Sequence, residues 1–154
     1  MRRTCSNELN TPKILACPAE FDSAKVQATT FASSIASGTG TPFKDNTSIS
    51  YFVGTDANET SPQMFLTGDH NMGPGAAANN NAATTYWKNQ LAPNTQSAID
   101  VTTNNPGAAW MDNQHQKQGN VGLADGSVQG FSISRLRDGL KNTGATANNR
   151  LLFP

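Results

Sequence analysis

Apolar and polar positions alternate in two regions of the chain, and each predicts a pair of strands. Ser48-Ile49-Ser50-Tyr51-Phe52-Val53 alternates at first and is β-branched and aromatic. Gln63-Met64-Phe65-Leu66-Thr67 follows a turn-rich stretch, and the two read as a hairpin with a loop of about eight residues, longer than most. Residues 120–124 and 127–131 also alternate and flank Asp125-Gly126. Asp-Gly in that setting predicts a tight hairpin with a type I′ turn, whose two central residues take positive φ. Ile133, Leu136 and Leu140 then return at helical spacing, with Ser132 as N-cap and Asn142 or Gly144 at the end. Gly139 inside that run weakens it through backbone entropy. Exposed, the terminal Leu151-Leu152-Phe153 would be a sticky patch, so it is expected to dock on the sheet.

The N-terminal part has a less regular pattern. Residues 4–10 read as the last turns of a helix, with Asn10 as cap and Pro12 stopping it. Lys13-Ile14-Leu15-Ala16-Cys17 reads as a strand ended by Pro18. Phe21, Ala24, Ala28 and Phe31 have helical spacing, so residues 19–31 are expected to hold a short helix, although Thr29-Thr30 opposes it. Residues 32–47 are loop-like in composition. Residues 68–109 form a long irregular region rich in Asn, Ala, Thr and Gly, with Trp87 and Trp110 expected to pin it to the core. The expected fold class is α+β: one domain over 1–154, an antiparallel sheet with long loops, and a short C-terminal helix.

Composition narrows the function. The chain has 154 residues, zero formal net charge, 14% charged residues and 17 Asn. Zero net charge removes the basic footprint of a nucleic-acid binder. No stretch is apolar for long enough to span a bilayer. Met1-Arg2-Arg3-Thr4 is followed by no apolar region, so neither a secretory nor a twin-arginine signal is legible, and the chain as written is expected to remain cytoplasmic. Two cysteines without a CxxC give no zinc framework. Cys5 and Cys17 could close a disulfide that contributes about 3 kcal/mol in an oxidising compartment. Equally, Cys17 could be a small buried apolar residue and Cys5 an exposed thiol.

Candidate chemistry is sparse. His70 and His115 are the near-neutral proton carriers. No nucleophile elbow, P-loop or dinucleotide fingerprint occurs. His115 and Asp125 should lie beyond opposite ends of one hairpin strand, His115 bonding a loop carbonyl and Asp125 making an Asx-type turn. Asp69, Asn71, Asp112 and Asp125 are oxygen donors of the kind calcium accepts, and such an ion could order residues 68–109. A calcium-dependent hydrolase of small esters or lactones would place the ion on Asp69 and Asp125 and use His70 or His115 as base. Tyr86, Trp87 and Trp110 among Asn-rich loops offer a third reading, a carbohydrate- or surface-binding module.

His115, nine residues, then Asp125-Gly126 is an H-X9-DG pattern. With it go Ser6-Asn7-Glu8-Leu9-Asn10-Thr11-Pro12-Lys13-Ile14-Leu15, Cys17-Pro18, Ile49-Ser50-Tyr51-Phe52-Val53-Gly54, Leu66-Thr67-Gly68-Asp69, Gly119-Asn120-Val121-Gly122-Leu123-Ala124-Asp125-Gly126-Ser127-Val128 and the Arg150 to Pro154 ending. In these blocks the chain resembles the prepilin-type processing-associated H-X9-DG family of pseudopilin-like proteins. His70 departs from that family, whose members tend to carry a basic residue after Gly-Asp. The resemblance implies a pseudopilin-like globular head, with residues 1–11 as the remnant of a hydrophobic helix. It also implies a structural role in filament or type II secretion pseudopilus assembly, and partners among other pseudopilins or pilus components. Full-length relatives would be periplasmic or extracellular.

Overall fold

In the computed structural model the described residues are 8–32, 39–75, 80–88, 107–144 and 150–154, together with the backbone of 91–92, 95–96 and 99–100. Strands β1 (Tyr51–Gly54) and β2 (Phe65–Asp69) form the first expected hairpin, in antiparallel register Tyr51↔Asp69 and Val53↔Thr67. The second is β8 (Gln118–Leu123) with β9 (Val128–Ser132), register Gln118↔Ser132 to Gly122↔Val128. β2 pairs with β8, and β10 (Arg150–Leu152) pairs with β1, so the C-terminal tail does dock. The resulting antiparallel sheet runs β10-β1-β2-β8-β9, with two-residue β6 (Ile99–Asp100) beyond β10. The fold is therefore α+β, as expected.

The region read as irregular contains further short strands. β3 (Met72–Pro74) pairs antiparallel with β7 (Ala108–Trp110) in a separate two-stranded sheet, and β4 (Leu91–Ala92) pairs with β5 (Thr95–Gln96). None of these exceeds three residues, too short for a periodic signal.

Helix α1 (Ile133–Lys141) forms where its spacing predicts. Ser132 Oγ accepts from Arg135 N, and Ile133, Leu136 and Leu140 are buried. Gly139 has a packing reason. A Cβ there would lie 2.8 Å from the Phe131 ring and 3.2 Å from that of Phe65, so the missing side chain lets the helix settle onto the sheet.

Successive strand residues supply two apolar clusters on opposite faces. Phe52, Phe65, Val121, Leu123 and Phe131 join Met72, Trp110, Leu136, Leu140, Leu151 and Phe153 in the main core. Tyr51, adjacent to Phe52, packs in a smaller cluster with Leu15, Ala28, Phe31, Phe43 and Ile49. Period-two alternation thus sends neighbouring residues to different cores. The N-terminal segment covers the second face.

That segment differs from expectation in two places. Pro12–Leu15 is a 3₁₀ turn, not a strand: Thr11 Oγ1 accepts from Lys13 N, and Pro12 at the first helical position presets φ. Residues 19–31 are not helical. Glu20 Oε1 captures Asp22 N at 3.0 Å and Asp22 Oδ1 captures Ala24 N at 2.9 Å. Such local carboxylate bonds compete with helical pairing. Val26 N then bonds Thr47 O, and Thr30 bridges Pro42. The expected helix over 4–10 falls mostly outside the described residues, as does Cys5.

The Asp-Gly turn also differs in detail. Gly126 has φ +85°, but Asp125 is not among the positive-φ residues. Gly126 N bonds Leu123 O, and Leu123 N bonds Ser127 O. One left-handed glycine after an ordinary turn is the bulged alternative to type I′.

Candidate functional site

The richest polar cluster lies where the N-terminal segment crosses the end of β1 and β2. Cys17-Pro18-Ala19-Glu20 is a turn, with Glu20 N bonded to Cys17 O at 3.1 Å and Pro18 presetting its first central position. Glu20 lies beside β2's Asp69-His70 end: His70 Nε2 contacts its two carboxylate oxygens at 3.0 and 2.9 Å, and Ser50 Oγ donates to Oε2 at 2.5 Å. His70 is fully buried and stacks on Phe21, ring centroids 5.6 Å apart. Burial alone would raise the Glu20 pKa. Hydrogen bonds from His70, Ser50 and the Asp22 backbone outweigh it, and the group falls to about 2. Tyr86 donates its hydroxyl to Asp22, tying residues 80–88 to the same segment. Lys25, whose Nζ donates to Asn46 O at 2.7 Å, is pulled down to about 8 by burial, against the opposing charges of Glu20 and Asp22.

His115 enters from the turn between β7 and β8. His115, Gln116 and Lys117 have φ of 54°, 53° and 64° in succession. Each non-glycine residue in that region costs roughly 1–2 kcal/mol. Asn71 helps hold the turn: Nδ2 donates to Gln114 O at 2.9 Å and Gln118 O at 3.2 Å. Asn71 O accepts from Met111 N. The turn presents His115 Nε2 to Cys17 Sγ at 3.4 Å, to Asp69 Oδ2 at 3.7 Å and to the Gln114 amide nitrogen at 3.5 Å. Asp69 Oδ2 also accepts from Asn120 N at 2.7 Å. Beside it opens a cavity of about 500 Å³ lined by His115, Gln116, Gln118, Gly119, Asn120 and Gly130.

The expected calcium ligands do not converge. Asp69 and Asn71 serve the cluster just described. Asp125 sits beyond the other end of the β2–β8 pair, its N bonded to Pro62 O and its Oδ1 accepting from Ser127 N at 2.8 Å. Asp112 is exposed and 3.9 Å from Lys117 Nζ. The length of β8 thus separates Asp69 from Asp125, so the two cannot hold one ion as the hydrolase reading requires. Among the described residues no three His, Cys, Asp or Glu side chains stand together as a metal set. His115 and Asp125 occupy opposite ends of the hairpin, as the spacing predicts, and Asp125 makes its Asx-type bond. His115 meets a thiol and a carboxylate instead of a loop carbonyl.

The carbohydrate platform is also not assembled. Trp110 is fully buried, Trp87 packs on Phe153, and Tyr86 sits edge-on to Phe21 and His70. Sequence reasoning missed Cys17, Glu20 and Ser50 as members of the cluster. Cys17 and His115 are 98 positions apart, and no local pattern links them.

No protein-family model, curated protein or solved structure matches the chain.

Proposed function

We infer that this protein acts by contact rather than turnover, as a pseudopilin-like head in a filament or secretion pseudopilus. The observation that carries the reading is how the two halves of the H-X9-DG pattern are used. Asp125-Gly126 shapes the tip of the β8–β9 hairpin, and His115 lies beyond the other end, against the N-terminal segment. Both are architectural positions, and a motif that builds a head is expected to recur wherever that head is needed. The carboxylates nearest the histidines support the same reading: Glu20 accepts from Ser50 and contacts His70, and Asp69 accepts from Asn120.

The partners are other pseudopilins or pilus components, met at the outer surface of the sheet and loops, and the place of action is the periplasm or cell exterior. Photo-crosslinking from surface positions such as Val128, which is 73% exposed, in the presence of full-length pseudopilins tests this. Specific crosslinked heterodimers are the expected product. Recovery of uncrosslinked chain alone from every position sinks the reading.

A further inference from the structure

The second face of the sheet is left open at its β8–β9 end. The N-terminal segment packs around Tyr51, while Gln118 and Asn120 of β8 are exposed, and so is Gly130 of β9, which stands opposite Asn120. There the cavity of about 500 Å³ opens, within the ~300–1,000 Å³ usual for small-ligand sites. A second hollow of about 250 Å³ shares Gln116 and Gln118 with it and runs on past Asn80, Ser132 and Ser134. The two make one elongated trough.

Gly130 is the feature that the fold does not account for. Gly126 and Gly144 take positive φ, and Gly119 leaves room for the Trp110 ring, which a Cβ would approach to 2.6 Å. Gly130 has no positive φ, and a Cβ there would meet nothing nearer than Asn120 Oδ1 at 3.9 Å. A glycine inside a strand forgoes cross-strand packing and costs backbone order, and one established reason for it is a ligand lying close on the backbone. The wall beside it is braced from behind. Buried Asp69 accepts from Asn120 N at 2.7 Å and from Asn120 Nδ2 at 3.3 Å, and lies 3.7 Å from His115 Nε2. With Nδ2 held by the carboxylate, Asn120 presents Oδ1 beside the open space over Gly130 as an acceptor.

We propose that this trough binds a neutral oligosaccharide whose sugars carry acetamido groups. Among the described residues its larger cavity is lined by one imidazole, three carboxamides and two glycines, with no acid, lysine or arginine at the wall. An ionic ligand would find no counter-charge there. Each carboxamide sets a donor and an acceptor side by side, which matches an acetamido group or a pair of neighbouring hydroxyls. A sugar ring can lie directly on Gly130, where any side chain would lift it off. The length of the trough suits more than one ring. An extended peptide fits less well, because the trough lies on the face of the sheet, and at the strand edge that a peptide would join, the Gly130 carbonyl already accepts from Arg135 Nη1. Tyr86, Trp87 and Trp110 take no part, so recognition rests on hydrogen bonds. The inference is independent of the assembly role proposed above, since it needs no second protein.

The test is an NMR titration of the isotope-labelled full chain with triacetylchitotriose. Saturable shifts are expected at the backbone amides of Gln118, Gly119, Asn120 and Gly130, with an affinity that added salt leaves unchanged because no charges meet. Gly130→Val places a good strand former where the Cβ has room, so its urea midpoint should hold or rise. The same variant should weaken binding about tenfold, the loss of one or two hydrogen bonds. No saturable shift at those amides overturns the proposal, as does a Gly130→Val protein that binds as tightly as its parent. Tighter binding of N-acetyl-trialanine amide at the same amides would make the trough a peptide site and overturns it too. Should Gly130→Val fail to fold, Gln118→Ala, at an exposed position, takes its place with the same two outcomes for binding.

Discussion

Glu20 is the residue on which the N-terminal segment most depends. Its carboxylate is bonded to Ser50 and contacts His70, and its folded pKa of about 2 lies below the ordinary 4.5. A depressed acid stabilises the fold fully above its unfolded pKa, and that stability drains away as pH falls from 4.5 towards 2. Thermal melts of the wild type should therefore lose midpoint temperature across that window, and Glu20→Gln should flatten this part of the curve. At pH 7 Glu20→Gln should cost about 2 kcal/mol, read by urea unfolding, because a charge-assisted bond to buried partners is lost. The triplet Asp69-His70-Asn71 stood out in the sequence, Asp69 and Asn71 as oxygen donors for calcium and His70 as a proton carrier. Its partners did not, because Glu20, Gln114 and Asn120 come from distant segments. A carboxylate's role depends on the neighbour it meets, and periodicity carries no record of neighbours across a fold.

At the level of elements, hairpins and helix were legible because each has a local cause. Alternation gave β1, β2, β8 and β9. The apolar stripe with a serine cap gave α1. The strand over 13–17 failed where Pro12 preset φ and the Thr11 hydroxyl accepted from Lys13 N, and the helix over 19–31 failed where carboxylates offered the backbone a competing local bond. Two glycines separate conformational from packing requirements. Gly126→Ala should cost about 1 kcal/mol in urea unfolding, since the position has φ +85° with open space around it. Gly139→Ala should also destabilise, by about 1–3 kcal/mol, although alanine is the better helix former, because the added methyl meets Phe131 and Phe65. A more stable Gly139→Ala protein would show that helix and sheet are not packed this closely. Arg135 Nη1 donates to Gly130 O on the outer strand, which helps shield that edge from pairing with another chain.

Over the whole molecule, the sheet is held together by its chain ends as much as by its hairpins. β10 comes from the last residues, pairs with β1, and carries Leu151 and Phe153 into the main core, both fully buried. Phe153 packs against Phe52 and Trp87, ring centroids 5.5 and 5.4 Å away. Phe153→Ala should cost about 3–5 kcal/mol, and removal of residues 150–154 should abolish the cooperative unfolding transition followed by circular dichroism. An unchanged transition after that deletion would mean the tail is not a working strand. The opposite face relies on the N-terminal segment, whose Leu15 carbonyl accepts from Ser50 N and whose apolar residues shield Tyr51.

The order of amino acids was enough to specify the two hairpins, the capped helix and the docking of the tail, because each follows from nearest-neighbour chemistry: alternation, a glycine able to take positive φ, a hydroxyl at an N-cap, an apolar end that water disfavours. It was not enough to bring Cys17 to His115 or Glu20 to His70, or to send Asp125 away from Asp69. Those outcomes depend on how strands stack in register and which face each segment covers. They are settled only when residues far apart in the chain are pressed together by the common burial of their apolar neighbours.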